Sequence, residues 1–447
     1  MNTTIQSVLE RLSGKGCHPD FPERSGVEAS ACGDLCAKLR DEEAVSALTA
    51  IVSGKPFPAF ALVPSKRRAR FLIPLTPWRA AAASLSVYNP QKALTRVAKH
   101  LLGVGLRTGL AQLFLPTNRT SSARDLPPVE GIRGPSLQEY LSDALGEKNL
   151  IMAVSLGTPG LHRKPVLQLM NSRGATLGYA KVGWNEQTRE LVRKEEAVLT
   201  RLGDVRFSTA IIPRVLHAGW WDGRYILVEE VPAGRTKPSG HSLTDRHLEF
   251  LRELRSGNPT QPAPVEHGLA AELTERIATL RARGLHYYPH LLDQAIARCV
   301  ERLKGVPICF GFKHGDFTPW NILGVHDKLF VFDWEYAEES TLPGWDLFHF
   351  IVQTSVLVKG LDGRGVLQAL RRQLATRPDL EGFLAESGTT REVLGPVFFL
   401  YVADVMSWYL LRDGEASDEK SDKLRGAWAY LLTMAAFQDS AFAWNDV

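Results

Sequence analysis

Between Ala44 and Arg124 the chain has no aspartate and no glutamate, although it carries 49 acids in all. Twelve basic residues fall in that stretch: Lys55, Lys66, Arg67, Arg68, Arg70, Arg79, Lys92, Arg96, Lys99, Arg107, Arg119 and Arg124. Of the net +4, +12 therefore lies here and −8 in the remainder. The absence rules out local ion pairing, so the stretch must be solvated, dock on acidic parts of the same chain, or meet an anionic partner. Cysteine is also scarce. Cys17, Cys32, Cys36, Cys299 and Cys309 are odd in number, which argues against a disulfide framework and fits a reducing compartment. Cys17, His18, Cys32 and Cys36 match no common zinc-finger spacing, and Cys32 and Cys36 lie one helical turn apart as packing residues do; no zinc site is expected. The N-terminus lacks a basic start followed by an apolar run, and no apolar run spans a membrane's thickness without charge, Pro or Gly. The expected location is the cytoplasm. No repeat or low-complexity tract is present.

What is present changes along the chain. A Ser-, Thr-, Pro- and Gly-rich segment, TNRTSSARDLPPVEGIRGPS (117–136), reads as a linker closing a basic N-terminal extension, 1–125. Within the extension, FALVPSKRRARFLIPL predicts a hairpin with a basic turn. PQKALTRVAKHLLGVGL predicts an amphipathic helix with Leu94, Val97, Ala98 and Leu101 on one face. An acidic membrane surface suits that pair, since a basic residue near anionic lipid contributes about 1 kcal/mol, and would place the protein at the membrane periphery. An anionic polymer is the second candidate partner for residues 44–124. Nucleic acid fits poorly, because aromatics are sparse there and no reading motif occurs.

After the linker, NLIMAVSLG, PVLQLMN and TLGYAKVGW predict three antiparallel strands, EQTRELVRKEEAVLTRLG a helix, and AIIPRVLHAGWW with RYILVEEV two further strands. From about residue 240 the apolar period is mostly helical. Strands first and helices afterwards predict an α+β chain with two lobes, 126–232 and 233–447, and a crevice between them.

The exception to the helical pattern is FKHGDFTPWNILGVHDKLFVFDWEYAEESTLPGWDLFHF (312–350), where Asp, Asn and His crowd among apolar strands. Such residues are costly in a core unless paired or holding a ligand. Asp316, Asn321 five positions on, and Asp333 at the end of an apolar strand follow the order protein kinases use: a base, then two magnesium ligands. Lys181 lies on the third strand. On the following helix Glu195 shares the stripe of Leu191, Val192, Val198, Leu199 and Leu202, so it rather than Glu196 should face Lys181.

In HGDFTPWNIL, VFDWEYA and PGWDLFHF the chain resembles the aminoglycoside phosphotransferase and choline kinase group of small-molecule kinases, over roughly residues 148–410. Gly315 stands where protein kinases carry Arg, and no Ala-Pro-Glu follows. The resemblance implies a two-lobed, protein-kinase-like fold. It also implies a kinase that uses ATP and Mg2+ to phosphorylate a hydroxyl on a small-molecule or sugar-like acceptor. Carried over by residue, Asp316 orients or deprotonates the acceptor, His314 braces its loop, Asn321 and Asp333 hold magnesium, and Lys181 with Glu195 serves the ATP phosphates. Glu229 and Val231 would offer backbone contacts to adenine, and Asp346 would anchor the loop or merely cap its helix. The loop SLGTPGLHRKP, with His162, Arg163 and Lys164, lies where the family covers the triphosphate. Tyr401, Asp404 and Trp408 form either an acceptor-binding stripe or plain core, the latter favoured. Alternatives are a nucleotide-binding regulatory module without turnover, or nucleotidyl transfer on the same fold.

Overall fold

Short apolar runs become strands, and the first of them lie in the basic stretch. The computed structural model describes residues 60–63, 70–87, 93–108, 135–156, 164–257, 262–265, 268–414 and 419–444. They fall into two units: the first holds the described residues up to Arg201 together with Pro213–Val231, the second holds Leu202–Ile212 and Pro232 onward.

In the first unit the hairpin β1 (Phe60–Val63) and β2 (Phe71–Pro74) is followed by β3 (Ile151–Ser155), β4 (Val166–Met170) and β5 (Thr176–Gly183). β6 (Ala210–Ile211) belongs to the second unit; β7 (Val215–Trp221) and β8 (Arg224–Glu230) complete the first. The seven strands form one antiparallel sheet in the order β1-β2-β3-β4-β5-β8-β7. The period of two along each strand separates its faces. Leu72 joins Met152, Val154, Leu167, Leu169 and Val228 under the helix Leu137–Leu145, whereas Ala61 and Ile73 pack with Ala81 and Leu106 from the helices Trp78–Ala83 and Ala93–Arg107.

This architecture corrects the boundary expected at residue 125. Leu72 pairs with Val154, the Leu156 N–H donates to the Arg70 carbonyl at 2.8 Å, and Leu72 and Ile73 are both buried, on opposite faces. The composition changes there, but the sheet runs through. On the helix Ala93–Arg107, Leu106 turns to the core while Leu101 and Val104 are exposed. The basic turn at 64–69, most of the linker, the N-terminal cysteines and His162 and Arg163 lie outside the described residues.

The second unit is mainly helical, as expected. A small sheet of order β6-β12-β11-β9 combines β9 (Thr236–Pro238) with the hairpin β11 (Ile322–Val325) and β12 (Lys328–Val331). β10 (Gly311–Lys313) pairs separately with β13 (Glu338–Thr341). The helices Trp345–Gln353 and Arg391–Asp413 run through its core. The stretch Arg391–Arg412 is long and apolar enough to cross a membrane by composition, but 89% of its apolar window is buried, as in a core helix.

Candidate active site

The first unit places Lys181 on β5 with its amine 2.5 Å from the Glu195 carboxylate and 3.2 Å from that of Glu229. All three are buried. Glu195 is fully enclosed on the helix Glu186–Leu202, while its neighbour Glu196 accepts a hydrogen bond from the Tyr225 hydroxyl at 2.5 Å, a phenol that burial and that carboxylate push up to about 12. The choice of Glu195 over Glu196 follows the helix stripe. Glu229 plays a different part from the one expected. It lies inside β8 opposite Tyr179 of β5 and Val215 of β7, so its backbone groups face a paired strand, and its side chain reaches the amine. Val231 follows directly after β8.

The second unit assembles the polar crowd of residues 312–350 from one hairpin, one loop and one helix. The register of β11 and β12 sets Ile322 opposite Val331, and the Phe332 N–H donates to the Asn321 carbonyl at 3.1 Å. Asn321 and Asp333 therefore stand at the same end of the hairpin. The Asn321 amide nitrogen donates to the Asp316 carbonyl at 3.0 Å and to its carboxylate Oδ2 at 2.8 Å, leaving the amide oxygen as the atom a hard cation would use. Asp333 is held at φ 72°, the left-handed region that non-glycine residues enter at a cost and that clusters at functional sites.

His314 is enclosed beneath this loop. Its Nε2 bonds the Phe332 carbonyl at 3.1 Å and its Nδ1 accepts from the Asp316 N–H at 3.2 Å, which fixes the proton on Nε2. Burial lowers its pKa against the pull of Asp346, Asp316 and Asp333, so the ring is neutral. Gly315 has φ 85°, and a Cβ there would stand 2.2 Å from the Tyr336 carbonyl oxygen. Asp346, in the first turn of Trp345–Gln353, accepts from the His314 N–H at 2.7 Å and the Gly315 N–H at 3.0 Å. It anchors the loop; the cap position of its helix is Gly344. Burial raises the Asp346 pKa, opposed by His314 and those two amides.

Asp404 belongs to the core, as favoured. It is buried with Arg276 at 2.7 Å, Lys313 at 3.6 Å and the Trp345 indole N–H at 2.7 Å, and those cations keep its carboxyl low despite burial. Trp408 packs edge-on against Tyr336, and Tyr401 is enclosed near His349. His349, three residues after Asp346 on the same helix face, went unnoticed in the sequence; its Nε2 lies 3.4 Å from Asp316 Oδ1. The spacing within WDLFHF carried that signal.

No family model matches this chain, and no curated protein does. Among solved structures it is similar to a thermostable mutant of aminoglycoside phosphotransferase APH(4)-Ia in apo form, at 14% identity and a TM-score of 0.45, covering 67% of this chain and 100% of that one. It is similar to a putative fructosamine-3-kinase from Thermobifida fusca YX-ER1, at 18% identity and a TM-score of 0.43, covering 66% and 98%. A putative fructosamine-3-kinase from Haemophilus somnus 129PT gives 14% identity and a TM-score of 0.40, covering 66% and 96%. Likenesses this distant carry no argument of their own; by name they are small-molecule kinases, the group whose motifs residues 312–350 resemble.

Proposed function

We propose that the chain is an ATP- and Mg2+-dependent phosphotransferase acting on a hydroxyl of a small-molecule or sugar-like acceptor. The observation that supports this most is the braced loop of the second unit. Asp316 keeps a quarter of its side chain exposed while Asn321, His314 and, through the backbone, Asp346 fix everything around it. A carboxylate so held can orient an acceptor hydroxyl and take its proton as the oxygen bonds to the γ-phosphorus and the bond to ADP breaks. The oxygen donors of Asn321 and Asp333 suit magnesium, which would neutralise phosphate charge. Lys181 is assigned to the ATP phosphates, its ammonium kept in place by Glu195 and Glu229. Val231 is assigned a backbone contact to adenine. Little covalent chemistry is asked of the protein, so positioning and charge neutralisation carry the rate.

The test is an acceptor screen of sugars, aminoglycosides and amino alcohols with γ-labelled and α-labelled ATP. Transfer of the γ label with ADP release supports the proposal. Transfer of the α label would make the chain a nucleotidyl transferase, and nucleotide binding without either product a regulatory module.

A further inference from the structure

The Asp316 carboxylate meets a second side chain besides Asn321. Asn321 holds Oδ2 at 2.8 Å, and His349 Nε2 faces Oδ1 at 3.4 Å. His349 is 1% exposed, its ring stacked on Trp345 with centroids 4.7 Å apart and planes at 18°. Its Nδ1 lies 3.2 Å from the Tyr401 hydroxyl, which reaches in from the helix Arg391–Asp413. Tyr401 is enclosed, and burial keeps its phenol protonated, so it can donate to Nδ1 and leave the imidazole proton on Nε2. Among the described residues that nitrogen makes no hydrogen bond; the nearest carboxylate oxygen is Asp316 Oδ1 at 3.4 Å, close enough for a small rotation of either side chain to align the N–H with it. A buried N–H left unsatisfied is destabilising, and a short closure onto Oδ1 would remove that cost.

We propose that His349 is a positioning residue that donates its Nε2 proton to Asp316 Oδ1. The carboxylate would then be fixed through both oxygens, by Asn321 from the hairpin and by His349 from the helix that also anchors His314 and Gly315. Each oxygen retains a lone pair for the acceptor hydroxyl. The role rests on the phosphotransferase function proposed above. It makes Trp345–Gln353 the element that sets the direction of the base: Asp346 fixes the loop backbone and His349 the side chain.

Two substitutions separate positioning from packing. His349→Gln keeps an N–H donor near the place of Nε2, whereas His349→Met fills similar space without one. In the full chain, with whichever acceptor the screen yields, His349→Met is expected to lower kcat about 100-fold with both KM values nearly unchanged, the effect of a misplaced reacting group. His349→Gln is expected to recover most of that loss, while both variants melt at similar temperatures. Equal kcat for the two variants, or a loss that tracks the folded fraction, overturns the proposal. A second measurement needs no acceptor. In chain labelled with 15N-histidine, the His349 signal, assigned by its disappearance in His349→Gln, is expected to show the Nε2–H tautomer and to shift in Asp316→Ala. A Nδ1–H tautomer, or a signal indifferent to Asp316→Ala, overturns it. Inactivity of the unsubstituted chain toward every acceptor would instead count against the phosphotransferase function, and the tautomer would still decide the contact.

Discussion

Asp316 is the residue on which the proposed chemistry turns, and its neighbours say what each replacement should do. Asp316→Asn keeps the shape and both proposed magnesium ligands, so turnover should fall about 10²–10⁴-fold, the usual contribution of a general base, while nucleotide binding stays close to normal. Asp333→Ala should instead weaken nucleotide binding, and only in the presence of magnesium, as calorimetry with and without the metal would read. In the first unit the two adjacent glutamates should separate cleanly. Glu195→Gln removes a fully buried partner of Lys181 and should depress activity; Glu196→Gln loosens only the Tyr225 hydroxyl and should leave it near the original rate. Equal effects of the two changes would move Lys181 out of the proposed site. Glu195 could be chosen from sequence because a helix repeats its face every three to four residues. Glu229 could not, because which residue of β8 meets Lys181 depends on the pairing of β5 with β8, where Lys181 stands opposite Leu227.

The hairpin of β1 and β2 is the part of the fold least visible in sequence. Its strands were legible as strands, but a long stretch of chain separates β2 from β3, and nothing local says that they pair. The pairing means that residues 1–125, read as an extension, cannot be removed without harm: the truncated sheet would expose β3 and the core residues that Leu72 covers. Leu72→Ala, which empties a buried site, should cost about 2–5 kcal/mol in denaturant unfolding, and a chain starting at residue 126 should melt lower still. A stability indistinguishable from the unsubstituted protein in either case would return the hairpin to the status of an appendage. The start of the helix Asp245–Ser256 offers a second test. His247 closes a capping box with Thr244, its Nδ1 accepting from the Thr244 N–H at 3.1 Å, and its ring meets Phe317 and Phe350 edge-on. Burial, with help from Arg377, brings its pKa down to about 4. The native state thus refuses a proton that the unfolded chain accepts below about pH 6.5, so stability should fall as pH drops from 6.5 toward 4, by up to about 3 kcal/mol. His247→Gln keeps a capping-box residue at that position and removes the titration. Its melting temperature should therefore depend less on pH across that window.

Across the chain, the parts that sequence disclosed are those whose signals are local: the strand runs, the helix stripe carrying Glu195, and the order of Asp316, Asn321 and Asp333. The parts it withheld are contacts made at a distance, such as His349 beside Asp316 and the buried group of Arg276, Lys313 and Asp404, where a polar side chain on a helix or a strand looks the same whether it meets solvent or a partner. The basic stretch between Ala44 and Arg124 keeps its proposed role toward an anionic surface, with a changed condition. The described part of it contributes strands and helices to a sheet-bearing unit, with Leu101 and Val104 exposed on a helix that ends in Arg107. The 447-residue chain should bind vesicles rich in anionic lipid at low salt and release as salt rises. Neutral vesicles should not hold it. Binding that ignores salt, or no binding at all, would leave the twelve charges as a solvated face.

Gly315 bears on how such a chain can change over evolutionary time. The Tyr336 carbonyl stands where any side chain at position 315 would begin, and the backbone there is left-handed. No single substitution can introduce the arginine that protein kinases carry after the histidine; the segment bearing Tyr336 would have to retreat first, and it follows directly on the turn that holds Asp333 in its strained conformation. Mutational drift from this motif toward the protein-kinase version therefore needs two coupled changes, a shift of the Tyr336 segment and then the new side chain at position 315.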